Sequence, residues 1–433
     1  GGGQLFVLQS KHTLAVQASP NRNRQTRSRG VEAPRPRAAA LQPRLVMIVI
    51  RTALVMAAAA AAAASDPAAD ADDVAPLTLL PKTTLGKCLD GTPSGFYLSP
   101  SVTAAARTKW ILNLEGGGEC ASKDRCLSQL NGPLGSSKYF SKTWRMNQFL
   151  ISRDSKTNPA TWDWNMVHLP YCTQDLWMGT RATPSNQSYG LSFAGHYVLD
   201  AVVTELLNLP NGLGQATEVI LTGESAGGIG VTPNVDWLHD QLGSQVKVTG
   251  APIAGLYFYA DPYTGPGHTS SDLADFREAA WPSHAQLWQP FVDQSCLSAH
   301  DYVAWPCMLA NYSTRFISSQ LFFTQSKSDQ VVLTAHDWVP GDLKPWADVE
   351  QYIQVWQRNM TSALNGLSNQ AARRGFFGVD CFIHTTFSPQ APLLPFHGKN
   401  VSFAAAFDAW YTDNEFVYLQ DYGGVFSNPT CPK

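Results

Sequence analysis

Residues 218–230 read Glu-Val-Ile-Leu-Thr-Gly-Glu-Ser-Ala-Gly-Gly-Ile-Gly. A short apolar run enters G-x-S-x-G at Gly223-Glu224-Ser225-Ala226-Gly227, and a helix-compatible stretch leaves it. A strand that must turn directly into a helix constrains its surroundings more than any other segment of this chain. Such a turn lifts the Ser225 hydroxyl off the sheet, and flanking glycines remove Cβ clashes from a strained backbone. The helix N-terminus behind the serine offers backbone N–H groups, including that of Ala226, to a developing oxyanion. The five-residue motif alone recurs by chance; its strand–turn–helix setting makes it specific.

The rest of the chain fits that setting. From about residue 85, short apolar runs alternate with amphipathic stretches. Strands are expected at 109–114, 166–170, 219–222, 246–249, 320–324 and around 376–377. Apolar residues at Ala194, Tyr197, Val198, Ala201, Val202 and Leu206 have helical spacing, so 193–209 is expected to cross over between strands. Residues 349–364 read as another helix. This alternation predicts an α/β fold: a mostly parallel central sheet with helices on both faces, in a single domain over 85–433. The aromatic-rich stretch 257–305 has the weakest periodicity and is expected to be a loop-rich insertion. Residues 65–84, rich in Ala, Asp and Pro, read as a linker.

Charge is unevenly placed. The chain has 433 residues, 44% hydrophobic and 15% charged, with 31 Lys+Arg against 34 Asp+Glu. That composition is globular, and a total of -3 argues against a nucleic-acid binder. Yet residues 1–51 hold nine basic residues and one acidic residue, so the remainder carries -11. Residues 1–46 are expected to be disordered, or upstream sequence outside the native protein if Met47 is the start. Residues 47–64 read as a secretory signal peptide: Arg51, an uncharged run, then small residues with A-x-A sites near Ala64 and Ala68. A signal anchor and an Arg-rich transit peptide are the competing readings. The run is short and Ala-rich, whereas a span wants about 20 strongly apolar residues. No stable membrane insertion is expected after cleavage.

Eight cysteines lie beyond the signal: Cys88, Cys120, Cys126, Cys172, Cys296, Cys307, Cys381 and Cys431. They show no CxxC and no zinc-type spacing, so disulfides are expected and no metal site is. Roughly a hundred pairings are open. Locality suggests Cys120–Cys126 and Cys296–Cys307, with Cys88–Cys172 and Cys381–Cys431 closing longer loops. Sequons at Asn186, Asn311, Asn359 and Asn400 become glycosylation candidates only in a secretory pathway.

A nucleophilic serine needs partners. A second oxyanion donor is expected from the glycine-rich loop of 111–120, with Gly117 and Gly118 as candidates. A phosphate loop is the competing reading, but it lacks the GK[ST] ending and Glu119 repels phosphate. In the order Ser, Asp/Glu, His, the base is one of His239, His268, His284, His300, His336, His384 and His397. His384 stands out because it follows the apolar run 376–383 near Cys381. Asp329 follows a strand ending in a polar loop, where an acid can orient an imidazole; Asp337, Asp342 and Asp348 have weaker contexts. No organic cofactor is expected.

Together these residues resemble the pectin acetylesterase/Notum family of α/β-hydrolases. The likeness covers most of 85–431. It is carried by LEGGGEC at 114–120, NMVHLPYCTQDLWMG at 165–179, GESAGGIGVTPNVD at 223–236, and the segments around Asp329 and Cys381-Phe-Ile-His384. The resemblance implies Ser225, Asp329 and His384 as the triad, with Gly117, Gly118 and Ala226 as the oxyanion hole. At Asp329 the plant-type pattern has a Tyr-Asp-Ser-Trp-like string where this chain has Lys-Ser-Asp-Gln. Where Notum-like chains place bulky aromatics after two glycines, this chain has Gly118 and Glu119. An ionised Glu beside a long acyl chain is costly unless paired, which favours a short acyl group such as O-acetyl on a polysaccharide. Trp177 and Met178 are candidates for an acyl pocket or for the core.

The reading is therefore a secreted, extracellular or cell-wall, monomeric serine carboxylic-ester hydrolase acting on an acetylated polysaccharide or another ester. Two alternatives stand beside it: a Notum-like enzyme removing a fatty acyl group from a protein or lipid, and an inactive binding module of the same fold. The charge of -11 suits a diffusing extracellular enzyme and disfavours tight capture by polyanionic pectin. N-terminal sequencing of secreted material tests the leader. A start near residue 65 is expected; retention of 1–46 refutes the signal reading.

Overall fold

The computed structural model describes residues 73–271, 273, 276–368 and 373–432. The expectations for 1–46 and 47–64, and the first part of that for 65–84, lie outside the described residues.

The apolar runs pair into a ten-stranded sheet. Its strands are β1 (Val74–Leu79), β2 (Gly95–Ser99), β3 (Lys109–Leu114), β4 (Thr143–Arg145), β5 (Asn165–Leu169), β6 (Glu218–Glu224), β7 (Lys247–Ile253), β8 (Gln320–Ser326), β9 (Arg374–Val379) and, after a separate hairpin of β10 (Leu394–Phe396) and β11 (Lys399–Val401), β12 (Tyr418–Gln420). The order is β12-β9-β8-β7-β6-β3-β5-β2-β1-β4. Pairing is parallel from β12 through β5 and antiparallel through β2, β1 and β4.

Strands β3 and β5 to β9 are buried almost throughout, which is why they read as continuous apolar runs rather than as alternating ones. Successive side chains nevertheless divide between two faces. Trp110, Leu112, Val219, Leu221, Leu321, Phe323 and Phe376 join one cluster; Ile111, Ile220, Phe322 and Phe377 join the other. Helices α1 (Gly195–Leu207), α2 (Ala226–Leu242) and α5 (Trp346–Ser368) contribute to the first cluster, and α6 (Phe403–Tyr411) to the second. Between α2 and α5 lie α3 (Trp281–Trp288) and α4 (Gln294–Ala299).

Two local details fix helices at this sheet. The backbone N–H of Gly195, at the start of α1, donates to the buried Asp175 carboxylate at 2.8 Å, so a distant acid supplies the cap that the local sequence lacks. Pro233 lies inside α2 and cannot donate to the Ile229 carbonyl; the Thr232 hydroxyl bonds that carbonyl at 3.1 Å instead. In α5, Val349, Ile353, Trp356, Met360 and Leu364 form one buried stripe at helical spacing.

One expectation is corrected. Residues 74–79 are not linker: they form β1, paired to both β2 and β4. The strand carries Pro76 and faces solvent at alternate positions, so its composition imitates a linker. The stretch 257–305 is loop-rich, as expected. It contains α3 and α4, and it buries Tyr257, Phe276, Trp281 and Trp288. The Phe276 and Trp281 rings stack at 5.5 Å, a mode of burial that leaves no helical period.

Disulfides join Cys88 to Cys172, Cys120 to Cys126, Cys296 to Cys307 and Cys381 to Cys431. These are the two local pairs and the two longer closures expected. Cys381–Cys431 closes a 50-residue separation and ties the segment after β9 to the C-terminal stretch. Replacing both cysteines by serine is expected to lower unfolding stability by about 2–5 kcal/mol. Chemical denaturation, read as a fall in the midpoint, checks this.

Candidate active site

The chain runs from β3 out to β5 and returns to β6 on the other side of β3, so neighbouring connections diverge between β3 and β6. Crevices outside the carboxyl ends of parallel strands form at such points. The segments that follow β3, β6, β8 and β9 meet that edge, and each carries a predicted site residue.

Ser225 directly follows β6 and precedes α2. Its backbone has φ +56° and ψ −121°, a conformation that L-residues rarely hold. The surroundings enforce it: Ser225 N donates to the Ile253 carbonyl at 3.0 Å, and Ile229 N donates to the Ser225 carbonyl at 2.9 Å. The loop after β3 lies against this turn. A Cβ on Gly116 would fall 2.6 Å from the Glu224 carbonyl oxygen and 3.0 Å from Ser225 Cβ, so only glycine permits the approach. Gly118 has φ +73°. Among the described residues, neither Gly117 N nor Gly118 N makes a hydrogen bond, whereas Gly116 N is used by the Glu224 carboxyl. The Gln174 side chain donates to the Gly117 carbonyl at 3.2 Å and braces the loop from behind.

Asp329 is fully buried after β8. It accepts from Val331 N and Val332 N at 3.0 and 3.1 Å and from Gln325 Nε2 at 3.0 Å. His384, after β9, donates through Nδ1 to both Asp329 oxygens at 2.9 and 2.8 Å. Its Nε2 therefore carries the lone pair, and that atom is buried with no hydrogen-bond partner. Ser225 and His384 share no hydrogen bond here; such bonds often tighten only around substrate. Gln330 N donates to the Ile383 carbonyl at 3.1 Å and holds the two loops together.

One neighbour was not legible from motif spacing. Tyr257, after β7, is buried and faces Ser225. Burial, then the charges of Asp329 and Glu119, push its phenol well above the ordinary value, while a hydrogen bond with Ser225 works the other way. Glu119 is buried with its Oε1 3.7 Å from His336 Nδ1. Asp337 accepts from Trp356 Nε1 at 2.8 Å. Trp177 and Met178 are wholly buried; Trp177 donates to the Glu115 carbonyl at 2.9 Å and packs against Gly230 of α2, a core position. Of the sequons, Asn186, Asn359 and Asn400 are exposed and Asn311 is half-buried. Cys296, His300 and Cys307 cluster at metal-binding distances, but both sulfurs are consumed by their disulfide. Among the described residues no helix is long and apolar enough to cross a membrane.

A mostly parallel sheet with Ser225, Asp329 and His384 beyond the carboxyl ends of β6, β8 and β9 has the form of an α/β-hydrolase fold. Within that class, the chain belongs to the pectinacetylesterase family, whose profile matches residues 68–432. It is 30% identical over 322 residues to the palmitoleoyl-protein carboxylesterase NOTUM of Schmidtea mediterranea, covering 71% of this chain and 57% of that protein. It is 31% identical over 259 residues to the human protein of that description, covering 57% of this chain and 49% of the relative. The matches thus span about half the length of these curated relatives. A solved structure of the Wnt deacylase Notum from Drosophila superposes with a TM-score of 0.70 at 26% identity, covering 83% of this chain and 99% of that one.

The strain at Ser225 is measurable. Ser225→Ala retains the unfavourable φ and Ser225→Gly relieves it. The glycine variant is therefore expected to be more stable than the alanine variant by about 1–3 kcal/mol, less the extra entropy of an unfolded glycine. Paired denaturation curves decide it.

Proposed function

We propose that this chain is a secreted serine carboxylic-ester hydrolase that removes O-acetyl groups from an extracellular or cell-wall polysaccharide. The observation that carries the reading is the convergence at one sheet edge of a strained Ser225, a buried Asp329–His384 couple and the amides of Gly117, Gly118 and Ala226. Ser225 Oγ attacks the ester carbonyl carbon while His384 Nε2 takes its proton. Asp329 holds the Nδ1–H tautomer and stabilises the imidazolium. The glycine-loop and Ala226 amides receive the oxyanion. Collapse expels the alcohol oxygen, which takes the proton from His384 and leaves an acyl-serine. Water, deprotonated by His384, then releases the acid and restores Ser225. Four disulfides suit an oxidising compartment and support secretion.

The short acyl preference rests on Glu119. Buried beside His336 where relatives of Notum type carry aromatics, it makes that neighbourhood polar. A second reading, a long-chain deacylase, draws on the relatives described as palmitoleoyl-protein carboxylesterases and on the aromatic insertion over the sheet.

A p-nitrophenyl ester series from acetate to octanoate separates the two. Turnover is expected to be greatest at the short end, and an optimum at octanoate favours the second reading. Ser225→Ala is expected to abolish turnover, and Asp329→Asn to lower kcat by about 10⁴. Wild-type rates in Ser225→Ala overturn the mechanism.

A further inference from the structure

Leu114 and Gly223 are register partners of parallel strands β3 and β6, so Glu115 and Glu224 leave the sheet side by side, immediately before the glycine loop and the nucleophile. Like charges opposite one another on neighbouring strands destabilise a sheet. Among the described residues no Lys or Arg pairs with either carboxyl. Their polar partners are few and specific. Glu224 Oε1 accepts from Gly116 N at 3.2 Å, and its Oε2 accepts from Asn113 Nδ2 at 3.4 Å. Glu115 Oε2 accepts from Tyr171 N at 2.8 Å. Asn113 Nδ2 also donates to His168 Nδ1 at 3.2 Å, so the imidazole proton sits on Nε2, which points towards Glu115 Oε1 at 4.0 Å. His168 stacks on Trp144 at 4.1 Å and is wholly buried.

We propose that Glu224, with Glu115 beside it, is a positioning residue: its carboxyl clamps Gly116, and hence the Gly117 and Gly118 amides, against Ser225 while the pair retains a proton. The inference rests on the esterase reading and deepens it. A proton on one carboxyl cancels the repulsion and leaves an acceptor for Gly116 N. With both ionised, two adjacent negative charges stand under a loop whose task is to receive an oxyanion. Repulsion then pushes the strand ends apart, and the added field opposes the charge formed on the substrate.

The electrostatics of the site agree. Burial, then the charge of Glu115, raises Glu224 to about 8; burial raises Glu115 to about 7. Burial lowers His168 to about 3, so it is neutral and supplies no counter-charge. Tyr97 of β2 faces Glu115 and is raised to about 12, first by burial and then by that carboxyl, so it stays protonated. Because both carboxyls sit above their ordinary value of 4.5, the folded state holds a proton that the unfolded chain has released. The associated stability is complete below about 4.5 and is lost as pH rises through about 7 to 8.

The test is kcat on p-nitrophenyl acetate at about pH 6 and about pH 9, with Ser225→Ala as the blank for uncatalysed hydrolysis. Loss of one oxyanion donor costs about 10²–10³ in kcat, so partial release of the loop predicts a wild-type fall of at least roughly tenfold over that range. In Glu224→Gln, which keeps an acceptor for Gly116 N and cannot ionise, the ratio of the two rates is expected to return to within about threefold of unity. Glu115→Gln is expected to do the same, and so covers a folding failure of the first variant. A flat wild-type profile, or glutamine variants that keep the wild-type fall, overturns the clamp while leaving the Ser225 assignment intact. Turnover that survives in Ser225→Ala instead removes the esterase reading on which the clamp rests.

Discussion

The turn at Ser225 must hold a residue with a Cβ at φ +56°, and much of the local architecture serves that requirement. A strained backbone of this kind persists only where neighbours over-determine it. Here β7 grips the Ser225 amide, α2 grips its carbonyl, and the glycine loop after β3 closes from the third side. Close approach also explains why Gly116, Gly223, Gly227 and Gly228 crowd the junction, each with backbone where a Cβ would stand. The same closeness that makes the strain sustainable sets Gly116 of the glycine loop against Ser225.

Backbone strain accounts for the serine; desolvated carboxyls account for much of the rest. Asp329 is stabilised by two backbone N–H groups and an amide rather than by a cation, which leaves its charge available to the imidazole. Asp175 works alike: it accepts from the α1 N-terminus and from Thr173 at 2.7 Å, yet burial still raises it to about 6. Hydrogen bonds to amides localise a charge without cancelling its field. Glu115 and Glu224 mark the limit of that strategy, because two carboxyls at one strand end have too few donors to share. Protonation then becomes the cheaper state.

This division also explains what could be read in advance. The six central strands were legible because burial on both faces writes uninterrupted apolar runs, and observed bounds such as Lys109–Leu114 differ little from those expected. The antiparallel strands β1, β2 and β4 were not; Val74–Leu79, for one, is mostly solvent-facing and carries proline. Ser225 was legible because its geometry is local and needs glycine on both sides. Asp329 and His384 were narrowed by chain order and by position after apolar runs. Tyr257, the contact of His336 with Glu119, and the pairing of the two strand-end glutamates left no trace in spacing. Gly116 and the Glu224 carboxyl that holds it are 108 residues apart, and only the β3–β6 register brings them together.

The disulfides complete the argument, because the remaining parts of the site lie on loops. Loops after strand ends pay conformational entropy to keep one geometry. Cys120–Cys126 begins one residue beyond Glu119 and anchors the glycine loop; Cys381–Cys431 lies three residues before His384. Ser326 of β8 donates to the Cys381 carbonyl, so the second staple is joined to the strand that leads into Asp329. The rigid sheet places the strand ends, and the covalent links carry that placement outward to the glycine loop and to His384. Such links persist in an oxidising compartment, where the bridges become part of the site's geometry as much as of the fold's stability.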